Sequence, residues 1–363
     1  MNSEKMKNRK FKNIKEEKEF YTTLRSRVHS ELSEESFKHG RLDFWIKGVF
    51  WTLVTYGAYF FLNNTDSKIT FWVLFLIFQL GGLLIGFSFG HDASHNTAFK
   101  NKNANQVLHF FSFLTVGIDP MLWGLRHIRS HHLYANVEGS DIDIDKNPFL
   151  RLAPSHPWSR KHSFQHLYAP VVYMFALLHS VFMGDWIYLY SGEYNWMRKG
   201  IEKSNLLVRF FTFKVLYFIL VLVIPLLATE FSFWFILFTY ISTSAFTSLI
   251  FVIMLVGTHF FYEADYFQSE SDELESSWAV HQLRTSCDWN PNSKLARYFS
   301  GGSNCHAAHH LFPNICHTNY DRINAIIETT TKEFGLPYHI KTLPEMMVSH
   351  FRHLKRMGQE TAN

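Results

Sequence analysis

Four stretches of this chain, residues 44–62, 70–90, 206–228 and 231–258, are apolar over lengths close to or above the ~20 residues that a helix needs to cross a bilayer. In lipid such a segment must satisfy every backbone N–H and C=O internally, which an isolated segment does only as a helix. The first stretch carries Lys47 near one end, where a long side chain reaches the interface, and the third carries Arg209 and Lys214 in its first turns with Pro225 near its close. The connections at 63–69 and 229–230 hold one lysine between them, whereas the first 43 residues hold eleven Lys/Arg against eight acids. Positive segments stay on the cytoplasmic side, so the N-terminus is expected inside and the short connections outside. The mean hydropathy of −0.07 is therefore an average of apolar spans and a very polar remainder.

Two further apolar stretches are broken. Residues 168–190 contain Pro170, His179 and Asp185, and residues 107–123 contain Gly117 and Pro120. Charge at mid-membrane is costly, so both are expected to lie at the interface, the first as an interfacial or re-entrant helix. The predicted fold is all-α and integral to the membrane, with four transmembrane helices in two hairpins. The polar segments 91–204 and 259–363 then emerge together as a cytosolic helical cap. Both termini are expected in the cytoplasm.

Composition excludes several classes. The net charge of +4 is modest and its basic residues are not interleaved with aromatics, which argues against nucleic acid and for a membrane face. The basic N-terminal segment lacks the short apolar core and small-residue cleavage site of a secretory leader. Cys287, Cys305 and Cys316 form no CxxC pair and read as reduced thiols.

Most of the 21 histidines fall in the polar segments, and three clusters carry ligand spacing: His91/His95, His127/His131/His132 and His306/His309/His310. On an α-helix, positions i, i+3 and i+4 share a face, so His91/His95 and His306/His309/His310 can each converge on a metal, as can His127 with His131. In the second cluster, His132 is expected about 100° from His131, so that one helix serves two metals. Chance yields about one HxxxH in a chain of this composition, but only about 0.07 each of the two triple patterns. Eight imidazoles exceed what one tetrahedral zinc takes and suit two metal ions, with iron, zinc and copper all compatible with imidazole. Without HExxH or a Ser/Cys nucleophile motif, a membrane-surface site of this kind points to dioxygen activation by iron.

The segments FGHDASHNTAF (89–99), WGLRHIRSHHLYANVEGSDIDID (123–145) and the stretch 281–317, with HQLRTSCDW, FSGGSNCHAAHH and the following Leu-Phe-Pro, resemble the integral-membrane fatty acid desaturases. The acyl-CoA and front-end branch is the nearest in look, and the resemblance runs over about residues 44–339, with 1–43 a cytosolic basic segment and 340–363 a cytosolic tail. It implies a centre of two iron ions (Fe2+) that uses dioxygen and two electrons to remove two hydrogens from an acyl chain. The implied ligands are His91, His95, His127, His131, His132, His306, His309 and His310, with His259 as the ninth and His281 as its alternative. Asn304 is a further candidate, through water. No catalytic residue is expected beyond the ligands. Histidine ligands usually give their second N–H to a carboxylate or carbonyl, and Asp92, Asp141, Asp143, Asp145, Glu263 and Asp265 are the candidates, Glu263 and Asp265 foremost.

The resemblance has departures. Front-end enzymes usually begin the third box with glutamine, where this chain has His306, and carry leucine at the position of Ser303. The His-Pro-Gly-Gly motif of their fused haem domain is absent, so electrons are expected from a separate donor, ferredoxin or a cytochrome-b-type carrier with its reductase. The implied partners are an acyl chain on CoA, carrier protein or lipid, dioxygen and membrane lipid. Related di-iron hydroxylases, acetylenases and carotenoid oxygenases share such boxes. A histidine-rich membrane metal transporter or zinc-dependent receptor is the non-enzymatic alternative, but it would place ligands inside the spans, whereas all three boxes lie at or beyond span ends.

Overall fold

The computed structural model describes residues 9–268 and 273–360. It is predominantly helical and divides into two compact units, one of residues 1–42, 126–169 and 253–363, the other of residues 43–125 and 170–252.

The second unit is the apolar one. Three of the chain's helices are long and apolar enough to cross a membrane, Lys68–Ser94, Lys203–Ala228 and Phe233–Thr258, and the count rises to four if the pair Arg160–Tyr173 and Ala176–Tyr190, bent by 75°, is one broken span. Such a bend also suits a re-entrant hairpin. The stretch 44–62 forms the C-terminal part of the helix Glu34–Leu62, 29 residues long. That helix is not one of the three, because Lys47 and several Trp, Tyr and Thr dilute its apolar face. The stretch 107–123 breaks after Lys102–Leu114, at Gly117 with φ +82°, and resumes as Pro120–Arg126.

Phe71, Phe75 and Phe78 recur at helical spacing and bury against Phe213, Tyr217 and Tyr240 of the two later spans. Since lipid supplies no hydrophobic drive between helices, close approach and polar contacts hold them. A Cβ at Gly82 would stand 2.6 Å from the Thr115 Cβ, so only glycine admits this contact. Trp72 Nε1–H donates to Ser242 Oγ at 2.8 Å, Gln79 Nε2–H to Ser244 Oγ at 3.0 Å, and the Tyr217 and Tyr240 hydroxyls bond at 2.9 Å. The buried Lys214 ammonium is satisfied threefold, by Asp185 Oδ2 at 2.6 Å and the carbonyls of Gly117 and Val181 at 2.9 and 3.0 Å. Lys214, which the sequence sets in the first turns of its span, thereby ties the Gly117 break to the broken segment around Asp185.

The first unit carries the polar segments. Phe20, Leu24 and Val28 form a stripe on Lys15–Glu31 and bury fully against Ile323 and Ile327 of Tyr320–Glu333 and Ala307, Ala308 and Leu311 of the third-box helix. Two short parallel pairings, Lys10–Phe11 with Glu273–Leu274 and Cys287–Trp289 with His339–Lys341, bind distant segments into the unit. The helix Leu343–Met357 begins with a reciprocal cap, in which the Thr342 N–H donates to Glu345 Oε2 at 2.8 Å. Its Met346 lies against Gly257, just before His259.

Candidate metal centre

Within the first unit, three separate pieces of chain bring four buried imidazoles together. His131 comes from the second box, His259 from just beyond the helix Phe233–Leu255, and His306 and His310 from one face of the short helix His306–Leu311. Their ligating nitrogens all lie within 4.8 Å of one another. His259 Nε2 stands 2.6 Å from His306 Nε2 and 3.1 Å from His310 Nε2. Two nitrogens each about 2.1 Å from one ion, at right angles, lie about 3 Å apart. Neutral nitrogens facing each other this closely repel through their lone pairs unless a cation or proton lies between them.

The outer nitrogens decide which face is offered. The Nδ1–H of His259 donates to the Thr285 carbonyl at 2.7 Å, that of His310 to Gln282 Oε1 at 2.7 Å, and that of His131 to the Asp141 carboxylate, whose oxygens lie at 3.2 and 3.3 Å. Acceptors at Nδ1 place the proton there and leave Nε2 as the lone-pair donor, the tautomer a metal needs. Burial and the neighbouring imidazoles hold His259 and His310 well below the usual histidine range. Burial alone would lower His131 too, but Asp141 and Asp143 outweigh it and raise it. The donor set fits a divalent transition metal.

A second gathering lies alongside. His127 Nε2 is 3.0 Å from His132 Nε2, and His132, His309 and His310 also form a ligand group. The α-helical expectation for the second box is corrected here. Residues His127–His131 form a π-turn, with the His132 N–H bonded to the His127 carbonyl five residues back. The wider turn returns position i+5 to the side of position i, so His132 meets His127 while His131 joins His259. The box still serves two groups.

The sequence profile of the fatty acid desaturase family matches residues 67–342. The chain belongs to the fatty acid desaturase family. It is 31% identical over 289 residues to the sn-1 linoleoyl-lipid 6-desaturase of Synechocystis sp., covering 76% of this chain and 78% of that one. It is 28% identical over 348 residues to the acyl-lipid (8-3)-desaturase of Physcomitrium patens, covering 94% of this chain and 72% of that one. With the acyl-lipid (8-3)-desaturase B of Dictyostelium discoideum the identity is 27% over 367 residues, covering 95% and 77%. This chain is thus an oxidoreductase of lipid metabolism, a membrane desaturase with histidine boxes able to hold metal.

The other residues singled out in the sequence of this desaturase fall into distinct places. His91 and His95 belong to the other unit, at the end of a π-turn over Gly86–Gly90, with their rings 5.2 Å apart. Asp92 is buried beside them, and its carbonyl accepts both the backbone N–H and the hydroxyl of Thr97. His281 is fully buried, but its Nε2–H donates to the Ala135 carbonyl at 2.8 Å and its ring packs against Phe11 and Phe267, so it joins neither gathering. Asn304 uses its side chain on Ser300 and the Asn290 carbonyl, pinning the turn before the third box.

The carboxylates divide against expectation. Asp141 supports His131, whereas Glu263 bonds Ser349 and Lys341, and Asp265 bonds Arg284 at 2.6 Å. Cationic and hydroxyl partners claim these two acids before a histidine does. Gln282 and the Thr285 carbonyl, which accept from His310 and His259, lie in the segment HQLRTSCDW, one and four positions after His281. Asp288 was also not anticipated. Its Oδ1 accepts the Ala307 N–H at 2.8 Å at the start of the third-box helix, and burial pushes its carboxyl up to about 7 despite bonds from Tyr338 and the helix N–H groups.

Proposed function

We propose that this desaturase inserts a double bond into an acyl chain borne on a membrane lipid, at a centre of two iron ions. The observation that carries the reading is the pair of histidine gatherings in one unit, with the outer nitrogens of His131, His259 and His310 already anchored by oxygen acceptors. The proposed ligands are His127, His131, His132, His259, His306, His309 and His310, together with His91 and His95 of the first box. Relatives whose names specify an acyl lipid favour a lipid-borne chain over one on CoA or carrier protein.

Bound iron would supply the redox capacity to turn dioxygen into an oxidant strong enough for an unactivated methylene. In the balanced reaction, one dioxygen, two electrons and two protons remove two hydrogens from adjacent methylenes and leave two waters. A separate carrier delivers the electrons, a ferredoxin or a cytochrome-b-type protein with its reductase. The chain's own part is to orient and to exclude. Asp141, Gln282 and the Thr285 carbonyl hold three imidazoles in one tautomer, and burial of all four rings keeps bulk water from the oxidising site.

In the proposed topology four spans, 44–62 included, cross the membrane, with the bent segment at the interface and both termini and the metal centre on the cytoplasmic side. The basic residues of the first 43 positions support that orientation.

Expression of the full chain in a host with simple lipids, with a working electron donor, tests the reading by mass analysis of fatty acids. A product lighter by two hydrogens is expected, and its fragmentation gives the bond position. An unchanged profile overturns the proposal, and a product gaining oxygen replaces it with a hydroxylase.

A further inference from the structure

Asn136 stands in the left-handed region, φ +57°, where a side chain other than glycine is uncommon and asparagine is best tolerated. It is fully buried, four residues after the second box. Its backbone N–H donates at 2.9 Å to Asp141 Oδ2, the same oxygen that lies 3.2 Å from His131 Nδ1. Its side-chain Nδ2 donates to the carbonyl of His259 at 3.1 Å and to that of Asp265 at 3.2 Å. Its own carbonyl accepts the Phe267 N–H at 3.0 Å.

One residue therefore touches both the carboxylate that orients His131 and the backbone that carries His259. Those two ligands come from chain segments more than 120 residues apart, and their ring centroids lie 4.4 Å from each other. Both acceptors of Nδ2 are carbonyls, which fixes the orientation of the amide. The left-handed turn aims the backbone N–H at one support and the side chain at the other.

We propose that Asn136 is a positioning residue for the four-histidine group, its amide fixing the His259 backbone relative to the Asp141 carboxylate that orients His131. The inference rests on the metal-centre reading above. A clasp that served the fold alone would affect stability and leave metal coordination unchanged, and the two are separable.

Asn136→Gly separates the roles. Glycine keeps the left-handed backbone and the N–H to Asp141, but removes both side-chain donations. The test uses the full-length chain in detergent, stripped of metal and titrated with cobalt(II), whose visible spectrum reports ligand geometry. Wild type should bind with a histidine-type spectrum. Asn136→Gly should bind about ten- to a hundredfold more weakly with an altered spectrum, the range seen when support of a metal ligand is lost. The metal-free variant should still fold, with an unfolding midpoint lowered only by what the two lost donations to buried carbonyls cost, and that loss of stability would not by itself alter the spectrum.

Equal affinity with an unchanged spectrum overturns the inference. So does a loss of affinity that tracks an equal loss of metal-free stability while the spectrum stays the same. A wild-type chain that binds no cobalt overturns the metal-centre reading itself, and this inference with it. If the glycine variant is not recovered as monodisperse protein, Asn136→Asp carries the same comparison. It retains the size and the tolerance of left-handed backbone but turns a donor into a repelling oxygen.

Discussion

Gln282 holds His310 by accepting its Nδ1–H on Oε1 at 2.7 Å, with both side chains fully buried. The contact leaves the other ring nitrogen to face His259 and joins the helix Trp278–Thr285 to the third box. Replacing Gln282 with leucine keeps the volume and removes the acceptor, so the tautomer of His310 is no longer held. Iron retained per chain, or desaturated product, should fall by about ten- to a hundredfold. Gln282→Glu keeps an acceptor and should retain iron near the wild-type level. Iron analysis of the two purified variants decides, and equal retention by the leucine variant would sink the assignment.

His259 and His281 are both buried and both face backbone carbonyls, but only His259 turns a nitrogen toward other imidazoles. His259→Ala should lose iron and abolish the double-bond product. His281→Ala should keep iron and instead lower the unfolding temperature, since it leaves the Ala135 carbonyl without this donor. The reverse pattern in iron content would exchange their roles.

Lys214 and Asp185 form an ion pair at 2.6 Å, each with 3% of its side chain exposed. Lys214→Met leaves Asp185 buried without its counter-charge, a change that typically costs about 3–5 kcal/mol. The double variant Lys214→Met/Asp185→Leu should recover most of that loss. Thermal unfolding in detergent reads both, and a double variant no more stable than the single one would show that the pair is not what holds this region.

His350 is buried with its Nδ1–H bonded to the Phe260 carbonyl at 2.6 Å, and burial pulls it down to about 4. Below the ordinary histidine value of 6.5 the unfolded chain takes up a proton that the folded chain refuses, so stability is lost as pH falls from about 6.5 toward 4. His350→Leu should flatten that part of the stability curve relative to wild type, whatever it does to stability at neutral pH. Parallel curves for the two proteins between pH 4 and 6.5 would contradict the assignment.

Much of the site was legible because its cues are local. The spacings of His306/His309/His310 and His127/His131/His132 need no knowledge of the rest of the chain, and the apolar spans follow from lengths set by the bilayer. The stretch 44–62 reads as a span by its length, but Lys47 and its Trp, Tyr and Thr residues keep the helix Glu34–Leu62 from being among the three helices apolar enough to cross a membrane.

What stayed hidden depended on partners far away in sequence. A π-turn over His127–His131 has no compositional signature, and it reversed which of two histidines joins which group. The Thr285 carbonyl belongs to a backbone that is the same for every residue type. Glu263 and Asp265 look as suitable as Asp141 until Lys341, Ser349 and Arg284 are seen beside them.

By itself, then, the sequence determined that the chain enters a membrane, that eight histidines stand in metal-ligand spacing, and to which family it belongs. Only the tertiary structure decided that His259 and not His281 turns toward the boxes, and that Asp141, Gln282, Thr285 and Asn136 surround them. The physical reason is one of range. Periodicity and spacing are written along a few turns of helix, whereas the direction of an imidazole nitrogen depends on which oxygen, a hundred residues away, the fold brings to its other side.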